Sequence, residues 1–248
     1  MNRRTVLFAV PVTLASLALT GVSGAGRAGA QARVTADVVA ARVQQFYDQT
    51  RTVQARFQQN FWSRVYSRTQ TSRGRVAIRR PGEIRFDYEQ PNGKVLVSSA
   101  GEWTMYEPGE SGSAGQYARG SSAAASQSAF GFLMGTADLR RFHRALLPAR
   151  AEDPANTDAL ELRPRREDPH YRRIRVYVDN QPSSLGVVRR VSIEDHDGNW
   201  NVFDFTEIQF DRELAPDLFR FTPPRGAREI GGAPRAEGPR PESAPVIE

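Results

Sequence analysis

From Glu83 to Glu89 the chain alternates without a break. Ile84, Phe86 and Tyr88 are apolar, and Glu83, Arg85, Asp87 and Glu89 are charged. Alternation at period two predicts a β-strand with one apolar face and one wet face. The same period runs through Phe57, Phe61 and Val65, then Val76 and Ile78, then Val95 and Val97, then Trp103 and Met105. Turn signals separate these runs: the polar stretch Thr69–Arg73, the sequence Gln90-Pro91-Asn92-Gly93, and Gly101. Short strands joined by tight turns predict an antiparallel meander. After Pro154 the pattern resumes at Ala159–Leu162, Ile174/Val176/Val178, Val187/Arg189/Val191/Ile193 and Trp200–Phe210. Asp179-Asn180 and Asp197-Gly198-Asn199 read as turns, with Asp195–Trp200 as a hairpin tip.

Helical periods flank and interrupt the strands. Val39, Val43, Phe46 and Tyr47 form a stripe that predicts a helix over 35–47, capped by Thr35 or Asp37 and laid on a sheet. Pro108–Ser122, rich in Gly, Ser and Ala, reads as a loop. Ala123–Met134 predicts a short apolar helix ended by Gly135. Asp138 opens a further helical stretch with Leu139, Phe142, Leu146 and Leu147 at helical spacing. Two helices are thin cover for roughly ten strands, since an antiparallel sheet must bury its apolar face. Large adaptable residues point inward: Phe57, Phe61, Phe86, Tyr88, Trp103, Met105, Phe132 and Met134. They either fill a core or line a hydrophobic cavity, and the pattern leaves both open.

The N-terminus changes the picture. Asn2-Arg3-Arg4, an apolar run to Val22 and Ala30-Gln31-Ala32 predict a secretory signal peptide, residues 1–32, cleaved after Ala32. Arg3-Arg4 leaves general and twin-arginine export both open. The chain has no cysteine, so the exported protein carries no disulfide and no acylated N-terminal cysteine. Residues 33–230 read as one domain and 231–248, rich in Pro, Gly, Ala and Glu, as a disordered tail.

The sequence pI of about 10.1 overstates the charge. Without Arg3, Arg4 and Arg27, 31 basic residues face 28 acidic ones, and Lys94 is the lone lysine. Arginine keeps its charge far into alkali, which raises the pI without a large charge at neutral pH. Basic and acidic residues interleave, which speaks against nucleic-acid binding.

Catalytic chemistry is missing. His143, His170 and His196 show no metal-ligand spacing. Asp195-His196-Asp197 alternates across two faces of an exposed tip. Gly109-Glu110-Ser111-Gly112-Ser113 has its glycines in the wrong places for a nucleophile elbow. No cofactor, metal or enzyme activity is expected.

Residues 73–108, RGRVAIRRPGEIRFDYEQPNGKVLVSSAGEWTMYEP, resemble the LolA family of outer-membrane lipoprotein carriers. The shared marks are an R-R-P-G turn, an aromatic strand, a proline turn, a strand ending in Val-Ser and one ending in Tyr-x-Pro. FRFTPPRGAREI, residues 219–230, is similar to the family's closing F-x-F-x-P-P-x-G, and AFGFLMG, residues 129–135, stands where its lid helix lies. The resemblance covers residues 34–230. It implies a mainly β fold with α-helix: an unclosed, strongly curved antiparallel half-barrel of about eleven strands, covered by a helical lid over a hydrophobic cavity. It implies a monomeric periplasmic carrier of a Gram-negative bacterium. Acylated lipoproteins would be its cargo, an inner-membrane ABC-type lipoprotein-releasing complex its source, and an outer-membrane lipoprotein receptor or equivalent its destination. By resemblance, Arg80 latches the lid through hydrogen bonds to lid-loop carbonyls. Phe57, Phe61, Ile84, Phe86, Tyr88, Val95, Val97, Met105, Phe130, Phe132, Leu133 and Met134 line the cavity. The family's tryptophan is displaced by one place to Trp103, which changes its face on a strand. A related lipid- or glycolipid-binding or lipoprotein-sensing module of the same fold is the alternative.

Overall fold

Thr35 caps the first helix, α1 (Ala36–Gln49), through its side-chain oxygen, which accepts from the Val38 N–H. The computed structural model describes residues 34–110, 113–121 and 130–231, and the side chain of Phe132 lies outside that description. The signal-peptide assignment falls wholly outside it, as does the tail beyond residue 231. Val39, Val43 and Tyr47 form the buried stripe of α1, as the helical spacing predicts.

The chain then runs through β1 (Thr52–Ser63), β2 (Arg68–Arg79), β3 (Glu83–Gln90), β4 (Val95–Ser99), β5 (Glu102–Glu107) and β6 (Gln116–Ser121). A four-residue helix α2 (Gly131–Met134) leads to β7 (Phe142–Leu147), β8 (Thr157–Pro164), β9 (Arg173–Asp179), β10 (Val188–Glu194), β11 (Trp200–Phe210) and the short β12 (Arg228–Glu229). They form one twelve-stranded sheet in the order β12-β6-β5-β4-β3-β2-β1-β11-β10-β9-β8-β7. All neighbours are antiparallel except β12 with β6. The sheet is mainly local meander, with two long-range seams, β1 against β11 and the short β12 against β6. The expected strongly curved half-barrel is corrected to an open sheet, neither closed nor strongly curled.

Three elements differ from the pattern. Gln116–Ser121, expected in a loop, is β6. It pairs with β5, where Gly120 sits opposite Trp103. A Cβ on Gly120 would come within 2.8 Å of the indole, so the small residues that resemble a loop make room for a large neighbour. Phe142–Leu147, expected in a helix, is β7, with only a 3₁₀ turn at Leu139–Arg141 before it. Leu146 pairs with Leu160, and Phe142 with Pro164. In so short an apolar run, strand pairing overrides helical spacing. Val65 leaves the strand face and lies exposed in the β1–β2 turn.

Register assigns the two faces. Val53, Ala55 and Phe57 stand opposite Ile78, Val76 and Gly74, which stand opposite Ile84, Phe86 and Tyr88. This inner face continues through Phe205 and Phe203 of β11 to Val191, Val176 and Leu160. Leu160, Leu162 and Ile174 are fully buried, each contributing about 1.5–3 kcal/mol. Helix α1 lies over this half. Arg144 Nε donates to Asp37 at 2.9 Å, and the Tyr47 hydroxyl accepts from the Val188 N–H at 3.3 Å.

The outer face is not simply wet. On β8–β10, Glu161 is buried and accepts from Arg163, Arg173 and Arg175. Over β2, β3 and β5 lies the C-terminal segment: Arg79 stacks 4.6 Å from the Phe219 ring, Arg85 Nη1 donates to the Leu218 carbonyl at 2.9 Å, and Tyr106 meets Phe221 at 5.6 Å.

Candidate functional site

Helix α2 has four residues, too few to be stable by itself. Burial holds it in place. Leu133 and Met134 are 3% and 2% exposed, and Phe130 just before them is half-buried. Phe130 wedges between Phe203 at 5.0 Å and Phe86 at 5.6 Å. Phe57 meets Phe86 at 5.2 Å and Tyr88 at 5.0 Å. Phe86 also reaches Phe203 at 5.8 Å, although β2 and β1 stand between their strands. Neighbouring strands are about 4.8 Å apart, so the inner face is concave at this cluster.

Beneath α2 is an apolar hollow lined by Val53, Ala55, Val76, Ile78, Ile84 and Phe86 from β1–β3, by Phe205, Ile208 and Val188 from β10 and β11's side, by Tyr47 of α1, and by Phe130 and Leu133 of the lid. Its free volume is about 20 Å³. That is room for about one water molecule. As it stands, the hollow has no room for anything much larger.

Among the described residues, few polar bonds hold α2. The Gly82 N–H donates to the Met134 carbonyl at 3.0 Å, tying α2 to the β2–β3 turn. Gly135 ends α2 at φ +75°, and a Cβ there would come 2.7 Å from Arg80 Nε. Its lack of a side chain therefore serves both the helix end and the close approach of Arg80. Arg80 is 11% exposed, and its Nη2 donates to Asp48 Oδ1 of α1 at 3.3 Å. Among the described residues Arg80 bonds that carboxylate rather than a lid carbonyl, and its buried Nη1 has no partner. Arg79 takes no part in this contact. It faces outward and binds Glu83, whose carboxyl that hydrogen bond holds below the usual range, against burial and with help from Ser99.

Burial pushes the Tyr47 phenol up to about 12, against the lowering effects of the Val188 N–H and of Arg189 and Arg80. Burial also raises Tyr88. Both rings stay neutral beside the hollow.

The structure brings together Ile84, Phe86, Phe130 and Leu133 in the lining, with Phe57, Tyr88 and Met134 packed beside them. Phe61 is half-buried further along β1. Val95 and Val97 are corrected: they pair with Asp87 and Arg85 and so stand on the outer face, while Leu96 and Ser98 of β4 face inward. Met105 shares the inner face with Trp103, which is buried there despite its one-place displacement from the family's tryptophan. The residues missed on β1, β2 and β11 had the right period. What identifies them is their cross-strand pairing to Ile84 and Phe86. At the Asp195–Trp200 tip, Asp195 holds Asn199, and His196 Nε2 bonds the Asp168 carbonyl at 2.7 Å. Those side chains build the turn.

The family model for the outer membrane lipoprotein carrier protein LolA matches residues 48–222. The chain belongs to the LolA family. An outer-membrane lipoprotein carrier protein of Dechloromonas aromatica is 30% identical over 190 residues, covering 75% of this chain and 84% of the relative. One of Nitrosospira multiformis is 27% identical over 186 residues, with the same coverage. The crystal structure of a LolA superfamily protein from Nitrosomonas europaea aligns at a TM-score of 0.41 and 15% identity, over 76% of this chain and 98% of that one. LolA proteins are lipoprotein carriers, and this member of the family is not an enzyme. Among the described residues no helix is long and apolar enough to cross a membrane. In this LolA chain α2, the Arg80 turn and the aromatic strand β3 all lie inside the matched region.

Proposed function

We propose that this LolA-family protein carries acylated lipoproteins through the periplasm, from an inner-membrane releasing complex to an outer-membrane acceptor, with the acyl chains held under α2. The observation that carries this reading is an almost entirely apolar lining covered by four helical residues that make few hydrogen bonds to other described residues. Lifting Phe130, Leu133 and Met134 exposes three large side chains, at about 5–9 kcal/mol. Each CH₂ that enters returns about 0.8 kcal/mol, so roughly six to eleven methylenes offset the opening. Long acyl chains open the lid and short ones do not. A closed carrier hides its apolar face from water, and cargo selects the open state.

Arg80 is the latch in this reading, with Asp48 as its counter-charge. Phe57, Phe61, Tyr88, Met105 and Met134 extend the surface that the chains reach once the lid lifts.

Release of a radiolabelled lipoprotein from spheroplasts tests the proposal. With the mature protein present, the label moves to the soluble fraction bound to it. Lipoprotein that stays on the spheroplasts removes the carrier reading. Mass spectrometry of lipid co-purified with the protein separates lipoprotein acyl chains from a glycolipid ligand.

A further inference from the structure

The β1–β2 hairpin turns large apolar side chains toward water at its tip. β2 pairs with β3 only from Arg73 onward, and β1 pairs with β11 only as far as Trp62. The residues between, centred on the turn Arg64–Ser67, run beyond β3 and lie beside the β10–β11 turn, whose Asn199 Oδ1 accepts from the Arg64 N–H at 2.9 Å. Val65 is 79% exposed and Tyr66 68%. Trp62 is 36% exposed and stands behind them, cross-strand from Thr69 on one side and Trp200 on the other. Arg64 and Arg68 flank the turn, both exposed. On the outer face of β8–β10, arginines 163, 173, 175 and 190 each meet a carboxylate. Among the described residues Arg64 and Arg68 form no such pair.

We propose that this tip, Trp62–Arg68, docks on a lipid bilayer surface that carries anionic headgroups. Val65 and Tyr66 enter the boundary between headgroups and acyl chains. The Trp62 indole sits at headgroup level, where an amphipathic ring is at home. Arg64 and Arg68 reach the phosphates while their stems lie along the apolar layer. Three apolar side chains at the end of a two-stranded ribbon fall far short of the roughly 800 Å² that each partner gives to a stable protein complex. They suffice for a shallow interfacial contact that a charged surface strengthens. The adjacent turn carries an opposing charge, Asp197, while Asp195 is engaged by Asn199. The contact is therefore weak and reversible, as suits a protein that leaves one membrane for another. This inference rests on the tip alone and stands whether or not the hollow takes cargo.

The test uses the mature chain and two vesicle types, one mixing phosphatidylglycerol with phosphatidylethanolamine, the other phosphatidylcholine alone. The protein sediments with the anionic vesicles and stays in solution with the neutral ones. Arg64→Gln with Arg68→Gln weakens anionic binding about thirtyfold. Val65→Asp with Tyr66→Asp abolishes it. Binding shifts tryptophan fluorescence to the blue, and Trp62→Phe removes that shift although Trp103 and Trp200 remain. All these side chains lie outside the core, so the variants keep the parent Tm and bind an acyl probe in the hollow as the parent does. That control distinguishes failure of the tip from failure of the carrier reading. Wild-type protein that does not sediment with anionic vesicles overturns the proposal. So does a Val65→Asp/Tyr66→Asp variant that sediments like wild type. Tip variants that bind vesicles normally but lose delivery would assign the tip to a protein partner and also overturn it.

Discussion

Arg80 Nη2 lies 3.3 Å from Asp48 Oδ1, and this contact joins the β2–β3 turn to the C-terminal end of α1. The same carboxylate oxygen accepts from Gln44 Nε2 at 2.9 Å, and Gln44 Oε1 accepts from the Leu139 N–H at 3.4 Å. Helix, turn and the segment after α2 thus meet at one carboxylate. Arg80 is nearly buried while Asp48 is half exposed, so the pair is worth about 1 kcal/mol.

Asp48→Asn weakens the closed state by that amount and raises affinity for a sixteen-carbon acyl probe about fivefold. In an Arg80→Leu background the same change has no further effect, because the two groups act as one. Titration of the four proteins checks this. Additive effects would show that the pair is not the latch.

Phe130→Ala removes the wedge between Phe86 and Phe203. The wedge is half-buried, so the loss of stability is about 2 kcal/mol, below that of a core phenylalanine. The hollow widens, and acyl-probe affinity rises because less lid surface must be lifted. Thermal unfolding and probe titration read the two opposite signs. A variant that loses both stability and binding would contradict this role.

Glu161→Gln leaves three guanidiniums facing one neutral amide on the outer face. Burial opposes the Glu161 charge, but Arg163, Arg175 and Arg173 outweigh it and hold the carboxyl below its ordinary value. The resulting stabilisation is complete above the ordinary glutamate value and is lost as pH falls through the depressed one. Expected is a loss of about 3 kcal/mol at neutral pH, together with a shallower fall of stability in acid. Urea unfolding from pH 7 down to pH 3 measures both.

Tyr47→Phe leaves the Val188 N–H without its acceptor, at about 1–3 kcal/mol. The phenol is pushed up to about 12. Its contribution is therefore complete below the ordinary tyrosine value near 10 and is lost as pH rises through 12. The variant is less stable at pH 8 and loses less between pH 10 and 12 than the parent. Parallel alkaline profiles would assign the limb to Tyr88 and Tyr171, which burial also raises.

The amino-acid order by itself determined α1 and its cap, most of the strands, and the apolar set Ile84, Phe86 and Tyr88, because those depend on local periodicity and turn chemistry. It also carried the motifs that mark the LolA family. Tertiary structure alone decided which alternating set faces the helices. Val95 and Val97 are as apolar as Leu96, and only pairing to β3 turns Leu96 inward. It likewise decided that Gly120 belongs to a strand beneath Trp103, that Phe142 begins a strand, and that Arg80 finds Asp48. Period two states that neighbours oppose each other, but the face and the partner are set by register across strands distant in the chain.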